Sequence, residues 1–300
     1  DGGAATALAT GGAGNITLNA GTGGITAAQA TGANAELSTT GTITLTSDGV
    51  VGSSTNRIQF PAAQDDVNVT TSGAADNIFL NGLGALTLGT IGTTGGSTVD
   101  VTSTGADTLL TAAGNISSTG GNVLLVATGG VTVNDTFTVN SGTGTLLVNA
   151  DSDGAGAGTL TLAGTGTLTS ANTTASAVTL RAEDIVLSAT SVVSATGGTA
   201  AGVNVFSTQA AQTMNIGGAA ASATGINLED AELARFTNFV TLTLGETAVQ
   251  SGAITVTTAT SPVAAGNIVI NSNSGAGGIV LDDGGAATAL ATGGAGNITL

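Results

Sequence analysis

Chemistry in this chain would be sought first among its acidic side chains. Paired carboxylates can share a proton, act on a glycosidic bond or hold a divalent cation. Four groups stand out: Asp65-Asp66, Asp151 with Asp153, Glu183-Asp184 and Asp282-Asp283. Carbohydrate-cleaving sites set such carboxylates among basic and aromatic groups that bind sugar and stabilise charge. Here there is no His, Tyr or Trp, and the basic side chains are Arg57, Arg181 and Arg235. With so little to build a site around, the acids read as solvated corners, and the chain is expected not to be an enzyme. Asp151-Ser152-Asp153-Gly154 opens like a calcium loop, but the twelfth position, where that loop needs Glu, is Leu162. No cofactor is expected, and at most a weakly held Ca2+ at the paired acids. With no Cys or His, transition metals are poorly served and a disulfide framework is excluded. Glycine strings such as Gly11-Gly12-Ala13-Gly14 lack the lysine of a phosphate loop and read as turns.

One stretch carries more charge and less glycine than the rest: Gly225 to Phe236, GINLEDAELARF. Its Glu229, Asp230, Glu232 and Arg235 form the candidate interaction loop. Ala231–Phe236 could make a helical turn with Asp230 at its start, or a strand with a protruding corner. Arg181 and Arg235 are expected to neutralise Glu183 and Glu232, and Phe206, Phe236 and Phe239 to pack in core or corners. Outward Thr-x-Thr pairs such as Thr159/Thr161 and Thr241/Thr243 invite an ice-matching face. Their irregular spacing and the strand preference of Thr argue against one.

The elements that position these groups are strands. Asn15-Ile16-Thr17-Leu18 alternates polar and apolar between turn residues, and the phrase recurs at 41–45, 77–80, 85–88 and 122–126. It returns at 159–162, 178–180, 240–244 and 267–270, while no stretch sustains a helical period. Val123, Val131 and Val139 lie eight apart, as do Leu160 and Leu168, and Val178 and Val186. On a longer scale Ile78, Val99, Val123, Leu146 and Leu168 are separated by 21, 24, 23 and 22 residues. Three short strands per coil of roughly 20–24 residues is the pattern of a three-sided parallel β-helix, or β-solenoid. At roughly 4.8 Å per coil, 282 residues would give a rod of roughly 60 Å. Asn15, Asn77, Asn115, Asn122 and Asn267 each precede an apolar strand residue, where Asn suits left-handed turns or stacked amide ladders.

The 49 Gly and 7% charged residues are compatible with disorder, but 41% hydrophobic content with regularly placed Val, Ile and Leu argues for order. Net charge is −16, which disfavours nucleic acid and anionic membrane surfaces as partners. No apolar run is long enough for a membrane-spanning helix. Asp1–Leu18 and Asp283–Leu300 are identical, DGGAATALATGGAGNITL, at an offset of 282. Residues 1–282 are therefore read as one tandem repeat unit and 283–300 as the start of the next, with adjacent repeats as the first expected partner.

Several phrases resemble filamentous-haemagglutinin-type exoproteins of the two-partner-secretion and autotransporter kind. These are GNITL followed by NAGTGGITA, GTITLTSDG, GNISSTGGNVLLVATGGVTV and LRAEDIVLSA. The thirty-one residues from Ile226 to Val256, INLEDAELARF…TLTLGE…SGAITV, are the most specific. The resemblance implies a right-handed parallel β-helix exported across a Gram-negative envelope to the cell surface or beyond. It also implies a role in adhesion or surface structure, as a non-catalytic fibre or stalk. Like chains of such a fibre could associate laterally into filaments. Alternatives are a module that binds glycans or host surfaces and a polysaccharide-cleaving β-helix enzyme.

Overall fold

A computed structural model describes residues 6–30, 32, 34–218, 225–263, 266–273, 277–285 and 288–300. It is a parallel β-solenoid of about ten turns. Thirty-one short strands are joined by parallel pairing, and one helix, Asp230–Leu233, stands among the described residues. The alternation seen in the sequence is the cause. In Val123–Ala127 the residues Val123, Leu125 and Ala127 are buried while Leu124 and Val126 lie outside. The rule repeats coil after coil, so Val, Ile and Leu stack into one continuous aliphatic core.

The coil has three faces. Face 1 runs through Ile25, Val51, Ile78, Val99, Val123, Leu146, Val178, Val203, Leu242, Ile268 and Ile298. Face 2 runs through Gln64, Leu86, Leu110, Val131, Leu160 and Ile185. Face 3 runs through Leu18, Leu45, Val69, Ile91, Ile116, Val139, Leu168, Val193 and Phe236. The eightfold spacing of Val123, Val131 and Val139 is thus one coil crossing its three faces. Ile78, Val99, Val123 and Leu146 are face 1 partners as the spacing predicts.

Two expectations about register are corrected. Leu146 pairs with Val178, not Leu168, which belongs to face 3. Residues 150–158 and 171–177 lengthen that coil without adding a strand to face 1. Val186 points outward and is 45% exposed, whereas Ile185 and Leu187 are buried beside it. Partners on face 1 lie as little as 21 residues apart, at Ile78 and Val99, and as much as 39 apart, at Val203 and Leu242. Because loops consume chain without adding coils, about ten coils at about 4.8 Å give a rod of about 50 Å, shorter than the sequence predicts.

Two corner features let coils approach at strand spacing. A Cβ on Gly144 would sit 2.1 Å from the Gly121 carbonyl oxygen, so only glycine fits where these turns stack. The five asparagines act as acceptors between coils. Oδ1 of Asn15, Asn77, Asn115, Asn122 and Asn267 receives the backbone N–H of Thr42, Thr98, Thr138, Thr145 and Asn297, at 2.7–3.0 Å. None of the five has a positive φ, so the left-handed reading of these residues is corrected. The partner is a backbone amide one coil on, so the amide-ladder reading is corrected too.

Candidate functional site

Face 2 is interrupted beyond Ile185, and the candidate interaction loop lies at the interruption. Chain leaving Gly202–Ser207 forms Met214–Ile216, then doubles back so that Ile226–Leu228 pairs in parallel with it. Met214–Ile216 also pairs with Ile254–Thr257 on its other side. The doubled strand lies against Asp184–Leu187, so face 2 carries one strand more than its neighbours here. This extra strand is not foreseen by the sequence reading.

Carboxylates satisfy backbone donors at this wedge. Asp184 Oδ1 accepts the N–H of Asn227 at 2.9 Å. Glu232 Oε1 accepts the N–H of Leu187 at 2.9 Å, and its Oε2 accepts the N–H of Glu229 at 3.2 Å. The second bond belongs to a capping box that starts the helix Asp230–Leu233 with Glu229 as N-cap. The helix begins one residue before the turn expected at Ala231–Phe236 and ends at Leu233, and Phe236 opens the strand Phe236–Thr237 instead. Burial pushes the Asp184 and Glu232 carboxyls above the ordinary carboxylate range, against the opposing pull of those hydrogen bonds. Burial, with Asp151 nearby, does the same to Glu183. Buried acceptors with donors of their own are part of the scaffold.

The four residues of the candidate loop divide accordingly. Asp230 is exposed and Glu229 and Glu232 are partly buried in the cap. Arg235 folds back, its Nε donating to the Ala231 carbonyl at 3.1 Å and its Nη1 to the Ala189 carbonyl. Arg235 is thus a clasp between helix and neighbouring coil, where neutralisation of Glu232 is expected from the sequence. Arg181 pairs with Glu246 at 2.9 Å, not with Glu183, and its guanidinium lies 4.9 Å over the Phe206 ring. Phe206 is thus an outward platform, whereas Phe236 and Phe239 are core as expected. Arg57 makes the equivalent arrangement with Asp100, bidentate at 2.7 and 2.9 Å, over Phe79.

The paired acids serve turns and coil contacts. Asp66 accepts from the Thr42 hydroxyl at 2.7 Å and Asp65 from Thr87 at 3.1 Å. Asp282 and Asp283 accept the N–H groups of Gly284 and Gly285, both at 2.9 Å. Asp151 and Asp153 part company. Asp151 is buried and takes the Thr208 hydroxyl at 2.5 Å, while Asp153 caps Ala155 at 3.2 Å. Among the described residues, Asp151 Oδ1 and Glu183 Oε2 are buried acceptors without a hydrogen-bond partner. Among the described residues no three His, Cys, Asp or Glu groups are placed to hold a metal ion.

Outside, face 2 lines Thr87, Thr111, Thr132 and Thr161 into a single column, which ends at Val186. A second threonine column does not accompany it: the row two residues earlier reads Ala85, Leu109, Gly130 and Thr159. On face 1 a groove of about 460 Å3 lies over Leu147, Thr179, Asn204 and the Arg181–Phe206 pair. The sequence reading missed it, because the groove needs Ala175 and Ser176 brought beside residues of three coils.

Comparisons with protein-family models, with curated proteins and with solved structures each give no match.

Proposed function

We propose that this chain is a non-catalytic structural segment of a large secreted bacterial surface protein, an extended extracellular fibre or adhesin stalk. One observation carries the reading: an unbroken parallel register on face 1 from Ile25 to Ile298, with the same eighteen residues opening and closing the sequence. A fold that adds one coil at a time over a continuous aliphatic core gains stability with length, which suits a rod. Tandem units of 282 residues, export to the surface of a Gram-negative cell and lateral association into filaments all belong to this proposal, as does the absence of a cofactor. Electron microscopy of the cell surface and of the purified protein tests it. Long uniform rods with an axial feature near 50 Å, about ten coils, are the expected result. Compact particles would overturn it.

A second reading is favoured by the groove on face 1. The Arg181 guanidinium over Phe206, beside Thr179 and Asn204, offers an aromatic face and hydrogen-bonding groups to a glycan. Glycan-array binding abolished by Phe206→Ala, with the fold intact, would favour this module over the plain stalk.

A further inference from the structure

Three buried oxygens lack partners where face 1 turns into face 2, on three successive coils. Asp151 follows the strand Leu146–Asn149, Glu183 follows Val178–Ala182, and Gln212 lies between Gly202–Ser207 and Met214–Ile216. Asp151 Oδ1, Glu183 Oε2 and Gln212 Oε1 have no hydrogen-bond partner among the described residues, although Asp151 is 1% exposed and Gln212 7%. Buried acceptors are ordinarily matched, so three at one corner call for a common partner.

The segment 150–158 folds over this corner. Asp151 Oδ2 takes the Thr208 hydroxyl at 2.5 Å, two coils on, and the N–H of Gly156 at 3.4 Å. A Cβ on Gly156 would lie 3.8 Å from Glu183 Oε2 and 2.5 Å from Gln209 Nε2, so the loop roofs the Glu183 carboxylate. Beside it, Glu183 and Gln212 line one cavity of about 200 Å3 with Gln209 and Gly225. Burial chiefly, and then the nearby charge of Asp151, raise the Glu183 carboxyl. The Gln212 amide is oriented, because its Nε2 donates to the Glu183 carbonyl and to that of Ala182 at 3.5 Å. A flipped amide would set oxygen against oxygen, so Oε1 is left to the cavity side. One coil further, Gln250 holds the same corner. Its Oε1 takes the Ser207 hydroxyl at 2.6 Å and its Nε2 donates to the Gln212 carbonyl at 2.5 Å. A glutamine here can thus be fully matched by protein alone, and Gln212 is not.

We propose that Asp151, Glu183 and Gln212 hold a divalent cation of the calcium type, a structural ion that ties three coils together where the doubled strand interrupts face 2. All the donors are oxygen: two carboxylates and one neutral amide, so no third acid is required. Water entering past the partly exposed Glu183 completes the six to eight ligands that Ca2+ takes. Mg2+ needs a near-ideal octahedron and parts with its water reluctantly, which suits this corner less. With two carboxylates and an open side, the affinity belongs at about 0.1–1 mM, the range of extracellular modules. Asp153 is not a ligand, since it is exposed and caps Ala155. The partner of Asp151 is on the next coil, not two residues away.

Hydrogen exchange on the full-length protein, stripped with EDTA and then given Ca2+, is the first test. Exchange should slow at the amides of 151–158 and 208–213 and stay unchanged at 282–285, where Asp282 and Asp283 bond turn amides. Equal protection at 282–285 would reduce the effect to diffuse binding by surface acids and overturn the site. No substitution is needed, so this result stands even where a variant fails to fold. Equilibrium dialysis against radiolabelled Ca2+ gives the affinity. Asp151→Asn and Glu183→Gln should each weaken binding at least about tenfold, because ligand charge sets it, while Asp153→Asn should leave it unchanged. Binding that survives Glu183→Gln, or that falls as much with Asp153→Asn, refutes the assignment. A proton shared by Asp151 and Glu183 is the competing way to satisfy two of these oxygens. No uptake of Ca2+ at about 10 mM, well above the expected range, decides for the proton and against the cation.

Discussion

Replacing Asn77 tests how neighbouring coils are held in register. Its Oδ1 accepts the N–H of Thr98 at 2.7 Å in a partly buried corner. Truncation in Asn77→Ala removes the acceptor and leaves that N–H to whatever water can reach it. A net loss of about 1 kcal/mol is expected, the usual worth of one such bond. Asn77→Asp keeps a carbonyl-like oxygen in place and should cost much less, despite adding charge to an already acidic chain. Combining Asn77→Ala with Asn115→Ala and Asn122→Ala should cost about 3 kcal/mol if the sites act independently. That is a large part of the 5–15 kcal/mol typical of a folded domain. Circular dichroism during urea unfolding is the assay, since the chain has no Trp or Tyr to report by fluorescence. Hydrogen exchange at the Thr98 amide gives the local readout and should quicken in the Ala variant alone. If Asn77→Asp proves as costly as Asn77→Ala, the amide N–H groups matter and the acceptor argument is wrong.

Other consequences concern burial, corners and ion pairs. The Asp184 carboxyl is held above its ordinary range by burial. The folded protein therefore binds this proton more tightly than the unfolded chain, and the contribution is fully present below the unfolded pKa. It is lost as pH rises through the folded value. Asp184→Asn, which keeps the acceptor for Asn227, should flatten the rise in Tm expected of the parent on acidification from neutral toward about pH 4; an unchanged profile would contradict this. Gly144→Ala forces a Cβ against the Gly121 carbonyl and should destabilise by about 1–3 kcal/mol. Gly96→Ala meets nothing within 4 Å and should be near neutral in the same denaturation series. Asp100→Asn breaks the bidentate pair with Arg57, whose side chains are 13% and 15% exposed, and should cost about 1.5–3 kcal/mol with little salt dependence. A cost that vanishes in 1 M salt would mark it as a surface pair instead.

The period-two alternation made the strands legible. All nine strand phrases, from Asn15–Leu18 to Asn267–Ile270, coincide with strands. It also placed Val123, Val131 and Val139 on three successive faces, because a short coil without insertions leaves nothing to shift the count. Register failed where chain is consumed off the faces, as between Leu146 and Val178. A fixed spacing cannot see a loop whose length no hydrophobic pattern constrains. Charged pairing failed for a related reason. Arg181 looked to its sequence neighbour Glu183, but alternation puts outward residues opposite those of the next coils, where Glu246 waits. The doubling back of Met214–Leu228 was signalled only by the scarcity of glycine and cluster of acids near it. Nothing in local pattern says that Asp184 and Glu232 will bond backbone N–H groups. Buried Ser118, Ser141 and Ser170 were likewise invisible, since a serine that bonds the Ser97 or Gly144 carbonyl reads in sequence as an ordinary turn residue.

Strands that run across the axis, with their hydrogen bonds along it, decide how such a rod responds to tension. Pulling on its ends opens the bonds between the last two coils one after another, as a zipper opens, while those deeper in stay unloaded. Each coil that peels away surrenders about 4.8 Å of rod and releases its whole contour at about 3.4 Å per residue. For the coil from Val123 to Leu146 that is about 80 Å of slack. The coil from Val203 to Leu242, swollen by its doubled strand, pays out about 130 Å. The insertions that spoil the register are thus also reserves of length, and tension along this rod would meet a series of small yields rather than one rupture.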